Sequence, residues 1–206
     1  MGSGCRGVVD EVTFKPFIKM DRIIKKQLDE FVLDNGLASK EEDVNFELFT
    51  GYLVTSSHYT ETFESNDIHV GKGGDCGIDT ISIIVNGCLI TEVQEIEDLE
   101  GINGYLDVLF IFNQAERSSN FDSSKVGQFS YGCNDFFSES PLLNQNADIK
   151  KKHAIFEQIY SKSNKFKKGN PQLFLYYCTT GKWTGDQNLT VRKNSVIKDL
   201  MDLNSF

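Results

Sequence analysis

Residues 78–93, with the sequence IDTISIIVNGCLITEV, constrain the fold more than any other segment. Residues 78–85 are mostly β-branched and apolar, which is typical of a buried strand. Asn86 and Gly87 follow, and this pair is a strong signal for a two-residue hairpin turn because both residues tolerate positive φ. The pattern predicts a first strand over residues 78–85 and a second strand over residues 88–93.

A third apolar strand is predicted over residues 106–115. Its end, FIFNQAERSSNFD at residues 110–122, changes abruptly from aromatic and aliphatic residues to hydrogen-bonding and charged ones. The acidic segment 94–104, between the second and third strands, is expected to be a surface insertion. A core strand that ends in polar side chains is a candidate position for a functional site.

Helical spacing of apolar residues surrounds these strands. It predicts helices over residues 20–33 and 148–166, a helix that begins at Asp43 and buries Phe46, Phe49, Leu53 and Val54, helical structure from residue 123, and a last helix over 194–203. A further strand is predicted over residues 171–179. This order favours a three-layer α/β or α+β domain around a mixed sheet. Residues 1–20 are expected to be a flexible or partly ordered N-terminus, and residues 21–206 a single domain.

The formal net charge of −9 gives the chain no global attraction for nucleic acid, so such binding would need a local basic surface. One candidate strip contains Lys150, Lys151, Lys152, His153, Lys162, Lys165, Lys167 and Lys168; the alternative interpretation is a solvated helix face and loop. The five cysteines form no CxxC pair, which argues against a zinc site. Their odd number and irregular spacing, together with the lack of a signal peptide, favour reduced thiols in a cytoplasm. No apolar run approaches the roughly 20 residues that a membrane span needs.

Asp79, Gln114 and Glu116 are the candidate site residues. Asp79 begins an apolar strand, where an aspartate is either a turn cap or a metal ligand. Gln114 and Glu116 are two residues apart on a strand and therefore project from one face, close to where Asp79 is expected. Oxygen donors that converge at the end of a sheet can hold Mg²⁺, which can activate water for attack on a phosphodiester. The alternative is a structural polar cluster.

Several motifs together resemble the N-terminal region of the AIPR family, the abortive-infection phage-resistance proteins. The matching pieces are GGDCGID at 73–79, IIVNG at 83–87, FIFNQAERSSNFD at 110–122, FSYGCNDFF at 129–137 and LFLYYCTTGKW at 173–183. The resemblance extends from about residue 43 to the end of the chain. Because members of this family are usually much longer, it implies that the chain is the N-terminal part of a longer protein.

The family region is similar to PD-(D/E)xK nucleases, which have the restriction-endonuclease-like fold. The resemblance implies a nuclease of bacterial cytoplasm that acts in phage defence on DNA or RNA, requires Mg²⁺ or Mn²⁺, and is a candidate for homo-oligomer formation. Asp79 matches the metal-binding aspartate of the second core strand, Gln114 matches the acidic-or-amide position, and Glu47 on the helix FELF matches an acidic residue of some members. The alternative for Glu47 is an exposed helix carboxylate. Nucleic-acid contacts are assigned to Lys72, Arg117 and Lys182.

Glu116 departs from the family pattern, which has lysine at this position. That lysine stabilises developing negative charge, and one unit charge about 4 Å from a phosphate oxygen is worth roughly 4 kcal/mol at an effective dielectric near 20. Three explanations are open. Glu116 is an extra metal ligand while Arg117 or Lys125 supplies the positive charge; or the domain binds nucleic acid, or serves as an oligomerisation platform, without cutting; or a lysine was replaced to trap an inactive state.

Overall fold

The computed structural model describes residues 20–119, 121–167, 171–181 and 186–201. These residues form six α-helices and four strands, in the order α1 (Arg22–Asp34), α2 (Glu42–Ser56), β1 (Thr80–Val85), β2 (Cys88–Leu89), α3 (Gln94–Asn103), β3 (Val108–Glu116), α4 (Ser123–Phe136), α5 (Ala147–Ser161), β4 (Gln172–Thr179) and α6 (Gln187–Met201). Single 3₁₀ turns occur at Ser65–Asp67 and Ser163–Lys165. Within these ranges, no helix combines the length and the apolar character that crossing a bilayer requires.

The four strands form one mixed sheet in the order β2-β1-β3-β4. β1 is antiparallel to both β2 and β3, whereas β4 is parallel to β3. The predicted hairpin turn is confirmed, with φ values of 51° at Asn86 and 81° at Gly87. The coarse prediction of a mixed α/β domain around a mixed sheet is therefore confirmed.

Helices cover both faces of the sheet, which gives three layers. On one face, Ile81, Ile83, Phe110 and Phe112 belong to the main core together with apolar residues of α3, α4, α5 and α6. On the other face, Ile84 and Ile111 pack with Val54 of α2. Because side chains alternate along a strand, β3 supplies both cores at once, and its end is held between the two helical layers.

Four predicted element boundaries are wrong. α5 ends at Ser161 and not at residue 166, and a 3₁₀ turn follows it at Ser163–Lys165. β2 ends at Leu89 because the N–H groups of Thr91 and Glu92 donate to the Glu95 carboxylate, which begins α3 instead of extending the strand. α2 begins at Glu42, and Asp43 lies in its first turn and pairs with a side chain outside the helix. α6 begins at Gln187, well before the predicted residue 194.

The predicted buried face of α2 is also wrong in one position. Leu53 is 46% exposed, whereas Leu48, which was not predicted, is completely buried against α1. α2 lies between the sheet and α1, so it buries residues on more than one side, and a single helical stripe does not describe it.

The acidic segment 94–104 is a helix of the core and not a surface insertion. Ile96 of α3 is fully buried in the main core. Acidic side chains of this region hold the lysines that the sequence suggested as a basic strip: Lys151 contacts Glu92 at 2.6 Å, Lys162 and Lys165 contact Glu100 at 3.2 and 3.1 Å, and Lys167 contacts Asp107 at 3.2 Å. These lysines therefore have internal partners.

Lys152, in the middle of the same strip, is buried, and burial lowers the pKa of its ammonium group to about 8. Among the described lysines of the strip, Lys150 is the one that is both exposed and without an ion pair. Lys168 lies outside the described residues. The interpretation of this region as a helix face with local ion pairs is thus favoured over a nucleic-acid-binding strip.

Replacing Ile96 with alanine tests whether α3 belongs to the core. We expect Ile96→Ala to lower the free energy of unfolding by about 2–5 kcal/mol, because it removes buried methylene groups and leaves a cavity. Ile102→Ala, at a position of the same helix that is 80% exposed, is the matched control and should change stability by no more than about 0.5 kcal/mol. Urea denaturation followed by circular dichroism measures both values. Equal effects would contradict the core assignment.

Candidate functional site

Asp79 lies at the start of β1, where the regular pairing with β3 ends. Its N–H donates to the carbonyl of Asn113 at 2.9 Å, and Asn113 is also the register partner of Thr80. Two residues of one strand therefore face one residue of its neighbour, which is the arrangement of a β-bulge, and bulges re-aim nearby side chains. The Asp79 Oδ2 atom accepts a hydrogen bond of 2.6 Å from the N–H of Ala115. Asp79 thus precedes the first regular strand, and not a second one as the resemblance implied.

Gln114 meets Asp79 at the main chain of Ala115. The Gln114 Nε2 atom donates to the Ala115 carbonyl oxygen at 3.2 Å, while Asp79 binds the N–H of the same residue. The Gln114 Oε1 atom is buried and has no hydrogen-bond partner among the described residues. A buried amide oxygen without a partner is costly. The side chains predicted to share a cation therefore both lie at the end of β3.

Glu47 reaches the same region from α2. Its Oε2 atom lies 2.8 Å from Nε2 of His69, and its side chain is only 20% exposed. The interpretation of Glu47 as an exposed helix carboxylate is therefore wrong. The sequence did not indicate His69 as a site residue, because its contact with Glu47 depends on how α2 packs against the segment before β1 and leaves no local spacing motif.

Gly71 shows how closely these groups approach one another. A Cβ atom at this position would lie 2.8 Å from Glu47 Oε2, 3.2 Å from Asp79 Oδ1 and 3.2 Å from His69 Nε2. The main chain of the same segment is tied to Asp79, because the N–H groups of Val70 and Gly71 both donate to its carbonyl oxygen, at 2.8 and 3.1 Å. Glycine is therefore required by the close approach of the backbone to two carboxylates and an imidazole.

Acidic side chains are concentrated around Asp79. Burial, followed by the nearby Glu47 carboxylate, raises the pKa of Asp79 to about 8, with smaller contributions from Asp75 and Glu116. The hydrogen bond from the Ala115 N–H opposes this rise but does not cancel it. A buried carboxyl group beside other carboxylates destabilises the folded protein, and such arrangements are enriched at functional sites.

Lys125 is a cation that interacts with this acidic group. From the first turns of α4 its Nζ atom forms an ion pair with Glu116, and this hydrogen bond raises the pKa of the lysine. Asp79 also contributes to that rise, through its charge. Lys125 thus reaches back toward the end of β3, as the sequence suggested. Arg117 points elsewhere, because it pairs with Glu42 at 2.6 Å and Asp43 at 2.9 Å at the beginning of α2.

The remaining residues assigned to nucleic-acid contacts are less informative. Lys72, in the loop before β1, is exposed and pairs with Asp148 at 2.9 Å. Lys182 lies outside the described residues. With Arg117 also paired, the assignment of these three residues to nucleic-acid binding stays a prediction.

The donors at this site suit a hard divalent cation chemically but do not form a closed ligand shell. Within the described part of the chain, no group of three or more histidine, cysteine, aspartate or glutamate side chains is arranged to hold a metal ion. Mg²⁺ keeps several waters and is commonly held by one or two carboxylates together with substrate phosphates. Asp79 and Glu47 are two carboxyl groups that lie close together beside Gly71, which is the number that this lower requirement asks for.

Comparisons with protein-family models, with curated proteins and with solved structures gave no match. The resemblance to the AIPR family stays a prediction from the sequence motifs.

The raised pKa of Asp79 predicts a pH-dependent gain in stability for Asp79→Asn. The folded-state pKa of about 8 exceeds the unfolded value of about 4, so the folded protein binds more protons between these values and loses stability as the pH rises through that window. Asparagine cannot ionise. In EDTA, the free energy of unfolding of Asp79→Asn should exceed that of the wild type by at least about 2 kcal/mol at pH 8. At pH 4 the two values should be nearly equal.

Thermal unfolding at pH 4, 6 and 8 measures this effect. Asp98→Asn, on the exposed side of α3, is the matched control and should show no such trend. If the stability difference for Asp79→Asn is the same at all three pH values, Asp79 is not the strained carboxyl group described above.

Proposed function

We propose that this domain hydrolyses phosphodiester bonds in DNA or RNA with the help of Mg²⁺ or Mn²⁺, as a nuclease with a restriction-endonuclease-like fold. The observation that carries the proposal is the position of Asp79: a buried carboxyl group at the end of the central sheet, beside Glu47 and at the same backbone residue as Gln114. A divalent cation would compensate for the charge that Asp79 and Glu47 concentrate there.

The residues have distinct roles in this proposal. Asp79 and Glu47 hold the cation, and Gln114 contributes its buried Oε1 atom. A bound Mg²⁺ or Mn²⁺ would supply a Lewis acid for the phosphodiester and lower the pKa of the attacking water. In the hydrolysis, water adds to phosphorus, the bond to the leaving sugar oxygen breaks, and that oxygen takes up a proton.

Lys125 takes the role of the missing lysine. Its ammonium group is held at the end of β3 by Glu116, and because its pKa is raised it stays protonated and acts through its charge. A fixed cation close to a scissile phosphate stabilises the negative charge that develops there. Glu116 in this scheme positions Lys125, so a glutamate at the family's lysine position is compatible with activity.

The ion pair between Glu116 and Lys125 also supports a second candidate function, a nuclease-like module that binds nucleic acid without cutting it. Glu116 neutralises Lys125, whose charge interacts with Asp79. If this pair persists when nucleic acid binds, no net positive charge faces the phosphate. The two candidates differ in whether Lys125 remains neutralised, and this can be tested.

Nuclease assays with site variants decide between them. We expect the wild type to cleave plasmid, single-stranded DNA or RNA in Mn²⁺ and not in EDTA. Asp79→Ala should reduce the rate by at least about 100-fold, because it removes a ligand, and Lys125→Ala should reduce it by about 100- to 1,000-fold, as for other residues that stabilise transition-state charge. Asp98→Ala, an exposed acidic residue of α3, is the matched control and should retain full activity.

Glu116→Lys separates the two candidates. Cleavage by this variant but not by the wild type would support the module that binds without cutting. Cleavage by neither protein, in Mg²⁺ or Mn²⁺ and on all three substrates, would contradict the nuclease proposal. Retained activity in Asp79→Ala would contradict the assignment of the site.

A further inference from the structure

His69 lies at the centre of the candidate site, although no sequence motif indicates it. The residue is 6% exposed. Its backbone forms a β-bridge with Thr80, the residue that follows Asp79, and its Nε2 atom lies 2.8 Å from Glu47 Oε2. The ring is therefore held between α2, which carries Glu47, and the strand that begins beside Asp79.

The direction of this hydrogen bond follows from its chemistry. A carboxylate has no hydrogen to donate, so the Nε2–H group of the imidazole donates and Glu47 Oε2 accepts. Within the described part of the chain, the Glu47 carboxylate accepts its hydrogen bond from His69. Because Glu47 is mostly buried and faces Asp79, this donor offsets the loss of water around a carboxylate beside a second acidic group.

The hydrogen bond between His69 and Glu47 also fixes the direction of the Glu47 carboxylate. The Oε2 atom of Glu47, Nε2 of His69 and Oδ1 of Asp79 all lie close to one point beside the Gly71 Cα atom. Glutamate has three rotatable side-chain bonds, and without a partner its carboxylate can turn toward solvent. The hydrogen bond from a histidine with a bridged backbone limits that freedom and keeps the carboxylate directed toward Asp79.

We infer that His69 is a positioning residue that holds the Glu47 carboxylate beside Asp79 for binding of a divalent cation. This inference rests on the proposed function, because it assigns His69 a role toward the same cation. Residues that orient metal ligands by hydrogen bonding typically change metal affinity by about 10- to 100-fold when they are replaced. His69 does not contact the nucleic acid or the reacting atoms in this scheme.

Titration with MnCl₂, followed by the electron paramagnetic resonance signal of free Mn²⁺, tests the inference without an activity assay. His69→Leu removes the donor, and we expect its dissociation constant for Mn²⁺ to rise by about 10- to 100-fold. His69→Gln keeps an N–H donor near the position of Nε2 and should recover most of the affinity. If His69 has only a structural role, both variants should melt at a lower temperature than the wild type. The folded forms of His69→Leu and His69→Gln should then bind Mn²⁺ with the same affinity.

His58 provides the matched control. It is a partly buried histidine with a similar hydrogen bond, 2.7 Å from its Nε2 atom to the Tyr176 hydroxyl on β4, but it is not part of the group around Asp79. His58→Leu should leave the Mn²⁺ affinity unchanged. Circular dichroism at the titration temperature confirms that each variant is folded.

The outcomes separate this inference from the proposed function. If the wild type binds Mn²⁺ and His69→Leu binds it equally well, His69 has no positioning role, and the proposed function is unaffected. If His69→Leu and His69→Gln weaken binding equally, the hydrogen bond to Glu47 is not the cause, and the inference is also overturned. If the wild type binds no Mn²⁺, both the inference and the proposed cation site are wrong.

Discussion

The hydrogen bond from the Ala115 N–H to the Asp79 carboxylate joins β1 to β3 at the point where their regular pairing ends. It takes the place of a ladder hydrogen bond and keeps an acidic group inside the edge of the core. The position of Asp79 depends on the bulge that Asp79 and Thr80 form opposite Asn113. The bulge depends in turn on the apolar register of β1 against β3, which cannot slip without exposing both cores. A mutation that shifts this register would therefore also displace the site.

The two helical layers place side chains of opposite charge at this end of the sheet. α2 supplies Glu47 from one face, and α4 supplies Lys125 from the other. The segment before β1 supplies His69 and the space at Gly71. Acidic groups on one side and a lysine held by Glu116 on the other make this end of the sheet asymmetric. In the proposed function, a cation and a positively charged side chain would approach a phosphate from these two directions.

Much of the fold could be predicted from the sequence because its signals are local. The Asn86-Gly87 turn, the apolar runs of β1, β3 and β4, and the helical stripes of α1 and α5 all depend on short-range periodicity. The sequence misjudged α3 because its acidic residues hide one completely buried isoleucine, Ile96, and because Glu95 ends β2 by accepting hydrogen bonds from the preceding turn. It could not show which acidic side chains pair with the lysines between residues 150 and 167, because those partners are far away in the sequence.

The candidate site could be predicted only in part, for the same reason. Gln114 and Glu116 follow from strand alternation, and Lys125 from the turn that leads into α4. The contact between Glu47 and His69 has no local signature, since it joins a helix to a loop through tertiary packing. The β-bulge at Asp79, which decides where its carboxylate points, likewise appears only when the pairing of β1 with β3 is known.

The most direct test of a cation site at the end of the sheet is an anomalous diffraction map of a crystal soaked in MnCl₂. We predict a strong peak about 2.2 Å from an oxygen of Asp79, with Glu47 or Gln114 as a second protein ligand. A map without a peak at Asp79, in crystals where Mn²⁺ is seen elsewhere or not at all, would contradict the account, and the buried carboxyl group would then serve only to bind the Ala115 N–H.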